Sequence, residues 1–183
     1  MQEIEAKYRV TDHEQIMGQL CSSGAVLTCK TLQSDTFFDT TDNRLQCQGS
    51  GLRIRAITDL SGNTGDTFVI TWKGPMDDDA KFKSRQEIEV GIESAEATTA
   101  IFKGLGFQPV ATVEKERSSY TFMNCRVELD HLPLIGYFVE IEGPDTETIE
   151  EVIAVLHLEG ESIKIPYVHM VIEHCLAHNI PVN

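Results

Sequence analysis

Charged side chains occupy alternate positions in six separate stretches of this chain: Glu3, Glu5 and Lys7; Arg53 and Arg55; Arg85, Glu87 and Glu89; Lys115 and Arg117; Glu128 and Asp130; Glu140 and Glu142. A two-residue repeat is the signature of β-strands, whose side chains alternate between the two faces of a sheet. The positions in between are apolar: Ile4, Ala6 and Tyr8; Leu52, Ile54 and Ala56; Ile88 and Val90; Val127 and Leu129; Val139 and Ile141. Each strand therefore has one charged face and one face that seeks a core. The tripeptide Glu-Ile-Glu occurs three times, at residues 3–5, 87–89 and 140–142.

Around these stretches the chain reads as one strand, a helix, four strands, a helix, three strands and two helices. Thr11 with Glu14 has the spacing of a capping box ahead of Ile16, Met17 and Leu20, and Ser94 is placed to cap a second helix. A third helix fits 146–160, and Pro166 opens a fourth with Val168, Val171, Ile172 and Cys175 on one side. β-Branched and aromatic runs fill the remaining segments, with turns expected at Ser61 to Asp66 and at Leu132 to Gly136. Many antiparallel neighbours and few helices predict an α+β domain, a single one over residues 1–183, built on a large sheet or closed barrel.

The charged faces admit two arrangements. In an open sheet they are wet and carry ion-pair ladders of small value. In a curled sheet they line a tunnel, with helices packed outside against the apolar faces. Two features favour the tunnel. The charged positions are almost all Glu, Asp, Arg or Lys, without the Thr, Ser and Gln of an ordinary wet face, and the signs are partly segregated, with Arg53 beside Arg55 and Glu140 beside Glu142. Clustered carboxylates suit Mg²⁺ or Mn²⁺, and Arg and Lys suit phosphate oxygens, so the combination fits a metal-complexed polyphosphate. On this reading the inward glutamates repel one another until that ligand binds.

The formal net charge of −14 speaks against nucleic acid or an anionic membrane as partner. The five cysteines, odd in number and without C-x-x-C spacing, suggest neither a disulfide framework nor a zinc site. With no apolar run long enough to span a bilayer and no leader-like N-terminus, a cytoplasmic protein is expected. The acidic stretch Pro75 to Lys83 lacks EF-hand spacing and reads as a loop.

The segments EIEAKY, QSDTFFDT, LRIR, TWKGP, SRQEIEV, EKERSSY, VELDHL and IGYFVEIE, taken in order, resemble the CYTH or triphosphate tunnel metalloenzyme family, and the class IV adenylyl cyclase-like branch most closely. The resemblance implies an eight-stranded antiparallel β-barrel, a triphosphate substrate (ATP, inorganic triphosphate or thiamine triphosphate) and Mg²⁺ or Mn²⁺. Carried over residue by residue, it makes Glu3, Glu5, Asp130, Glu140 and Glu142 the metal carboxylates. Lys7, Arg53, Arg55, Lys73, Lys115 and Arg117 become the phosphate clamp, with Arg85 supporting it and Lys164 matching a basic residue of the family's C-terminal element. Lys7 and Glu5 are the catalytic candidates, Lys7 as a desolvated base. The implied reaction is ATP to cyclic AMP and pyrophosphate; hydrolysis of a terminal phosphate and non-catalytic polyphosphate binding are the alternatives, and a homodimer follows only by analogy.

Overall fold

A computed structural model describes residues 2–62, 65–77 and 80–181, the side chains of Gln2 and Glu3 excepted. Parts of the expected Ser61 to Asp66 turn and of the acidic Pro75 to Lys83 loop fall outside those residues. The chain runs β1 (Gln2–Val10), α1 (Glu14–Ser22), β2 (Val26–Thr40), α2 (Arg44–Cys47), β3 (Gly51–Asp59), β4 (Thr67–Lys73) and β5 (Lys83–Ile92). It continues α3 (Ala95–Gly104), β6 (Phe107–Phe122), β7 (Cys125–Leu132), β8 (Gly136–Gly143), α4 (Thr146–Val155) and α5 (Tyr167–His178). The strands close into a barrel in the order β1-β5-β4-β3-β2-β6-β7-β8, every neighbouring pair antiparallel. Closure removes sheet edges and gives the charged faces an interior.

The order of elements matches the sequence reading, with the single turn α2 added. That turn is held by Asp39, whose carboxylate accepts from the backbone N–H groups of Leu45 and Gln46. Ser94 caps α3 as predicted, accepting from Ala97 N at 3.1 Å. The expected capping box at α1 does not form: His13 is the N-cap residue and its side chain makes no capping bond, while Asp12 accepts from Glu14 N.

The outward faces of β1, β7 and β8 meet α1 and α4 in the main core, where Ala6, Leu20, Val127, Val139, Ile141, Ile149 and Val152 are fully buried. Gly143 ends β8 where a Cβ would lie 2.8 Å from both Cys125 Sγ and Ile149 Cγ1, so glycine lets α4 close on the barrel. On the far side the alternation misleads. Ile88 and Val90 share the apolar face of β5, yet they are 49% and 57% exposed. Alternation assigns a side chain to a face, whereas burial requires a second element to cover that face.

α5 covers a different set of apolar residues. It packs Val171 and Cys175 against Phe37, Val113, Leu132 and Phe138. Phe138 lies two residues before Glu140 and Leu132 two after Asp130, so these are inward positions. Where the inward faces turn from charged to apolar they need an apolar cover, and α5 provides it.

Candidate active site

Behind α5 the barrel encloses a cavity of about 640 Å³ lined by the charged alternation, within the ordinary range for small-molecule sites. Its cationic side is organised around two buried aspartates. Asp35 on β2 accepts from Arg55 Nε at 2.6 Å and NH2 at 2.7 Å, and from Arg53 NH1 at 3.0 Å. Burial alone would raise the Asp35 carboxyl, but the two guanidinium groups override it and hold it well below the usual carboxylate range. Arg53 also donates to Thr71 Oγ1 at 3.2 Å.

Asp130 on β7 is fully buried and does not reach the cavity wall. Arg117 donates to it through Nε at 2.6 Å and NH2 at 2.5 Å, and Lys115 donates at 2.9 Å. The Asp130 assignment as a metal ligand is therefore not matched by its position, because both carboxylate oxygens are engaged from the cavity side by cations. It orients them. Arg117 NH2 also donates to Glu140 Oε2 at 2.6 Å, joining the cationic and acidic parts of the wall.

Lys7 is 1% exposed. Its ammonium donates to Ile165 O at 2.6 Å and lies 3.9 Å from Glu140 Oε1. Burial lowers its pKa and Lys83 adds to the effect, while Glu140 and Glu5 oppose it. Glu140 is held well below its ordinary value, burial being overridden chiefly by Lys115, Arg117 and Lys7. Elsewhere on the wall Glu5 pairs with Lys83, Lys73 with Glu87, Arg126 with Glu142, and Arg85 donates to Glu87 at 2.9 Å.

Glu5, Lys7, Arg53, Arg55, Lys73, Arg85, Lys115, Arg117, Glu140 and Glu142 thus share one cavity. Lys164 does not join them; its ammonium donates to Ala80 O at 2.7 Å. The Glu3 side chain lies outside the described residues, and its backbone pairs with Arg85. Sequence reasoning did not single out Lys83, Arg126, Gln33 or Tyr167, all of which line the cavity. Lys83 and Arg126 extend the same alternation, each two residues before a predicted site strand position, and could have been found. Nothing local marks Gln33, whereas Tyr167 stands in the KIPYV segment that carried the Lys164 match and was given no role there.

Glu5 stands directly across from Glu142, and Glu140 across from Glu128. Like charges facing one another are destabilising, and a hard cation would relieve them. Among the described residues no three His, Cys, Asp or Glu side chains already converge as a metal cradle. The carboxylates are turned instead toward Lys83, Arg117 and Arg126. The donor chemistry, carboxylate oxygens on adjacent strands, fits Mg²⁺ or Mn²⁺.

Burial and neighbouring Arg117 push Lys115 down to about 8, with Asp130 and Glu140 opposing. The amine is charged below that pH and neutral above it, so an anion in the cavity loses a cationic partner as pH rises. Affinity for inorganic triphosphate should therefore fall above pH 8 in the wild type relative to Lys115→Arg, whose guanidinium keeps its charge. The difference should approach about tenfold per pH unit. Calorimetric titration from pH 7 to 9.5 checks this, and parallel profiles for the two proteins would contradict it.

The CYTH domain family model matches residues 1–163. The chain belongs to the CYTH family. A Methanocaldococcus jannaschii protein provisionally named an adenylate cyclase is 35% identical to this CYTH protein over 142 residues, 78% of this chain and 77% of its own. Adenylate cyclase CyaB of Aeromonas hydrophila is 30% identical over 142 residues, covering 76% and 67% of the two chains. Among solved structures, a Hippeastrum protein provisionally named an adenylyl cyclase and described as having a dominant triphosphatase activity superposes with a TM-score of 0.73. It covers 93% of this chain and 95% of its own at 19% identity, a likeness that shows the shared fold alone.

Proposed function

We propose that this CYTH protein is a divalent-metal-dependent adenylyl cyclase that holds the triphosphate of ATP in its tunnel and releases cyclic AMP and pyrophosphate. The observation that carries the reading is the cavity wall itself: Arg53, Arg55, Lys73, Lys83, Lys115 and Arg117 brought together beside a row of carboxylates. Such a wall is self-neutralised when empty and complementary to a metal-complexed polyanion when filled. The cyclase names of the M. jannaschii and A. hydrophila relatives support the choice of reaction.

In this reading the Arg55 and Arg117 guanidinium groups, fixed by Asp35 and Asp130, hold phosphate oxygens in a fixed geometry and meet the charge that develops in the transition state. Glu5, Glu140 and Glu142, with Glu3 from the sequence, would hold the metal, which when bound supplies further neutralisation of the phosphate oxygens. The ribose 3′-hydroxyl attacks the α-phosphorus, the bond to the bridging oxygen breaks, and pyrophosphate leaves. In this reading the hydroxyl proton passes to Lys7 Nζ, in the neutral form that its lowered pKa makes more accessible, or to the Glu5 carboxylate.

Hydrolysis of a terminal phosphate would use the same clamp with water as nucleophile; the Hippeastrum protein of the same fold is described as having a dominant triphosphatase activity. Incubation with ATP and with inorganic triphosphate, under Mg²⁺ or Mn²⁺ and under excess EDTA, separates the readings by product. Cyclic AMP with pyrophosphate, abolished by the chelator, is expected. Orthophosphate as the main product would make the protein a triphosphatase, and tight binding without turnover would make it a polyphosphate-binding module. Full turnover in EDTA would remove the metal from the mechanism.

A further inference from the structure

The phenol of Tyr167 stands out within the cavity. Its hydroxyl oxygen is fully buried and has no hydrogen-bond partner, one of three such side-chain atoms among the described residues, with Gln19 Oε1 and Gln33 Oε1. A hydroxyl withdrawn from water without a partner is destabilising, and such atoms in native folds call for an explanation. Here the explanation lies in what surrounds it. The ring centroid is 4.2 Å from Lys7 Nζ and 5.1 Å from Lys115 Nζ, and the ring meets that of Phe138 in a T-shaped contact at 5.1 Å between centroids. Tyr167 lines the same cavity as both ammonium groups.

We infer that the Tyr167 hydroxyl donates a hydrogen bond to a phosphate oxygen of the bound triphosphate, next to the ammonium groups of Lys7 and Lys115. The inference rests on the tunnel being a triphosphate site, as proposed above. It adds a neutral donor to a set of contacts otherwise made by charged groups. The carboxylates of the site do not serve as its acceptors: Asp130 is taken by Arg117 and Lys115, and Glu140 by Arg117. Lys7 spends a proton on Ile165 O. Two ammonium groups against the ring raise the potential at its rim, where an anionic acceptor is favoured. Burial, reinforced by Glu140 and Asp130, raises the Tyr167 pKa well above its ordinary value, so the group stays a donor throughout the working range.

The position of the ring follows from the chain's path after β8. Ile163 N donates to Lys7 O at 2.7 Å and Lys7 N donates to Ser162 Oγ at 3.0 Å, so residues 162–165 are tied to β1. α5 then starts at Tyr167, directly beside Lys7. Val171 and Cys175 fix the helix against the inward apolar residues, and the Tyr167 ring packs against the same cluster.

Tyr167→Phe tests the hydroxyl alone, because the ring keeps its place on the two lysines and on Phe138. Titration calorimetry with inorganic triphosphate and Mg²⁺ should give binding about ten- to hundredfold weaker than wild type, the usual range for a hydrogen bond to a charged group. The unliganded variant should melt at or above the wild-type temperature, since an unpaired buried hydroxyl has been removed. Affinity within twofold of wild type overturns the inference. If Tyr167→Leu alone then weakens binding, the ring serves only to place the lysines. Failure of the wild type to bind triphosphate would instead refute the proposed function, and is read from a separate titration.

Discussion

Arg117→Ala should abolish turnover and strongly destabilise the fold. The guanidinium bridges Asp130, which is fully buried, and Glu140, 9% exposed. Its loss leaves Asp130 with Lys115, and Glu140 without a hydrogen-bonded cation, its remaining compensation coming from Lys115 and the more distant Lys7. Removing one partner from a buried ion pair costs about 3–5 kcal/mol because the remaining charge is uncompensated. For a chain of this size that corresponds to a fall in Tm of roughly 6–20 °C. The catalytic loss should be at least ~10²-fold, as for deletion of a single preorganised donor to developing charge. Adding Asp130→Asn separates the two effects, since it removes a stranded carboxylate without restoring the clamp. The double variant should recover part of the melting temperature and none of the activity. A single variant with wild-type stability would show that the Asp130 cluster is solvated rather than buried.

The second large effect is expected where sequence and structure disagree about sign. Taken from the sequence, the glutamates of an inward-facing tunnel repel one another, so neutralising Glu5 and Glu140 should raise the melting temperature of the unliganded protein. The structure reverses that expectation. Glu5 is paired with Lys83, and Glu140 with Arg117. Glu5→Gln combined with Glu140→Gln would strand Lys83, deprive Lys7 of both neighbouring carboxylates and leave Arg117 with Asp130 alone. The double variant should therefore melt below wild type. It should also lose its response to ligand. A wild-type protein at one hundred times the dissociation constant of Mg²⁺ with triphosphate gains about 2.7 kcal/mol by mass action, whereas the variant, lacking two of the proposed metal carboxylates, should gain little. Thermal melts of both proteins with and without ligand measure both effects. Equal ligand-induced shifts would show that these two carboxylates take no part in binding, and a higher unliganded melting temperature would mean that repulsion outweighs the pairs.

Much of the architecture was legible in the sequence because its determinants are local. A two-residue period with charges on one face and Ile, Val, Leu or Ala on the other specifies strands and assigns each side chain to a face, whatever the strand pairs with. The strands and their order followed, together with the face on which Lys7, Arg53, Arg55, Lys115, Arg117, Glu140 and Glu142 would be found. The order of the eight motifs added the family and hence the closure of the barrel. What the sequence could not supply is anything that depends on register between strands distant in the chain. That Arg55 meets Asp35, twenty residues away, and that Arg117 meets both Asp130 and Glu140 is decided by cross-strand pairing. The same pairing turned apparent repulsion among glutamates into a neutralised wall and drew Asp130 away from the cavity. Coverage is likewise tertiary: α1 and α4 bury the outer faces of β1, β7 and β8 but leave Ile88 and Val90 of β5 exposed. The interior apolar residues at one end are closed by α5, which brings Tyr167 to Lys7 across 160 residues of chain. Alternation is a property of one strand, whereas partners, coverage and the contents of the tunnel are properties of how eight strands close and what the helices then find unburied.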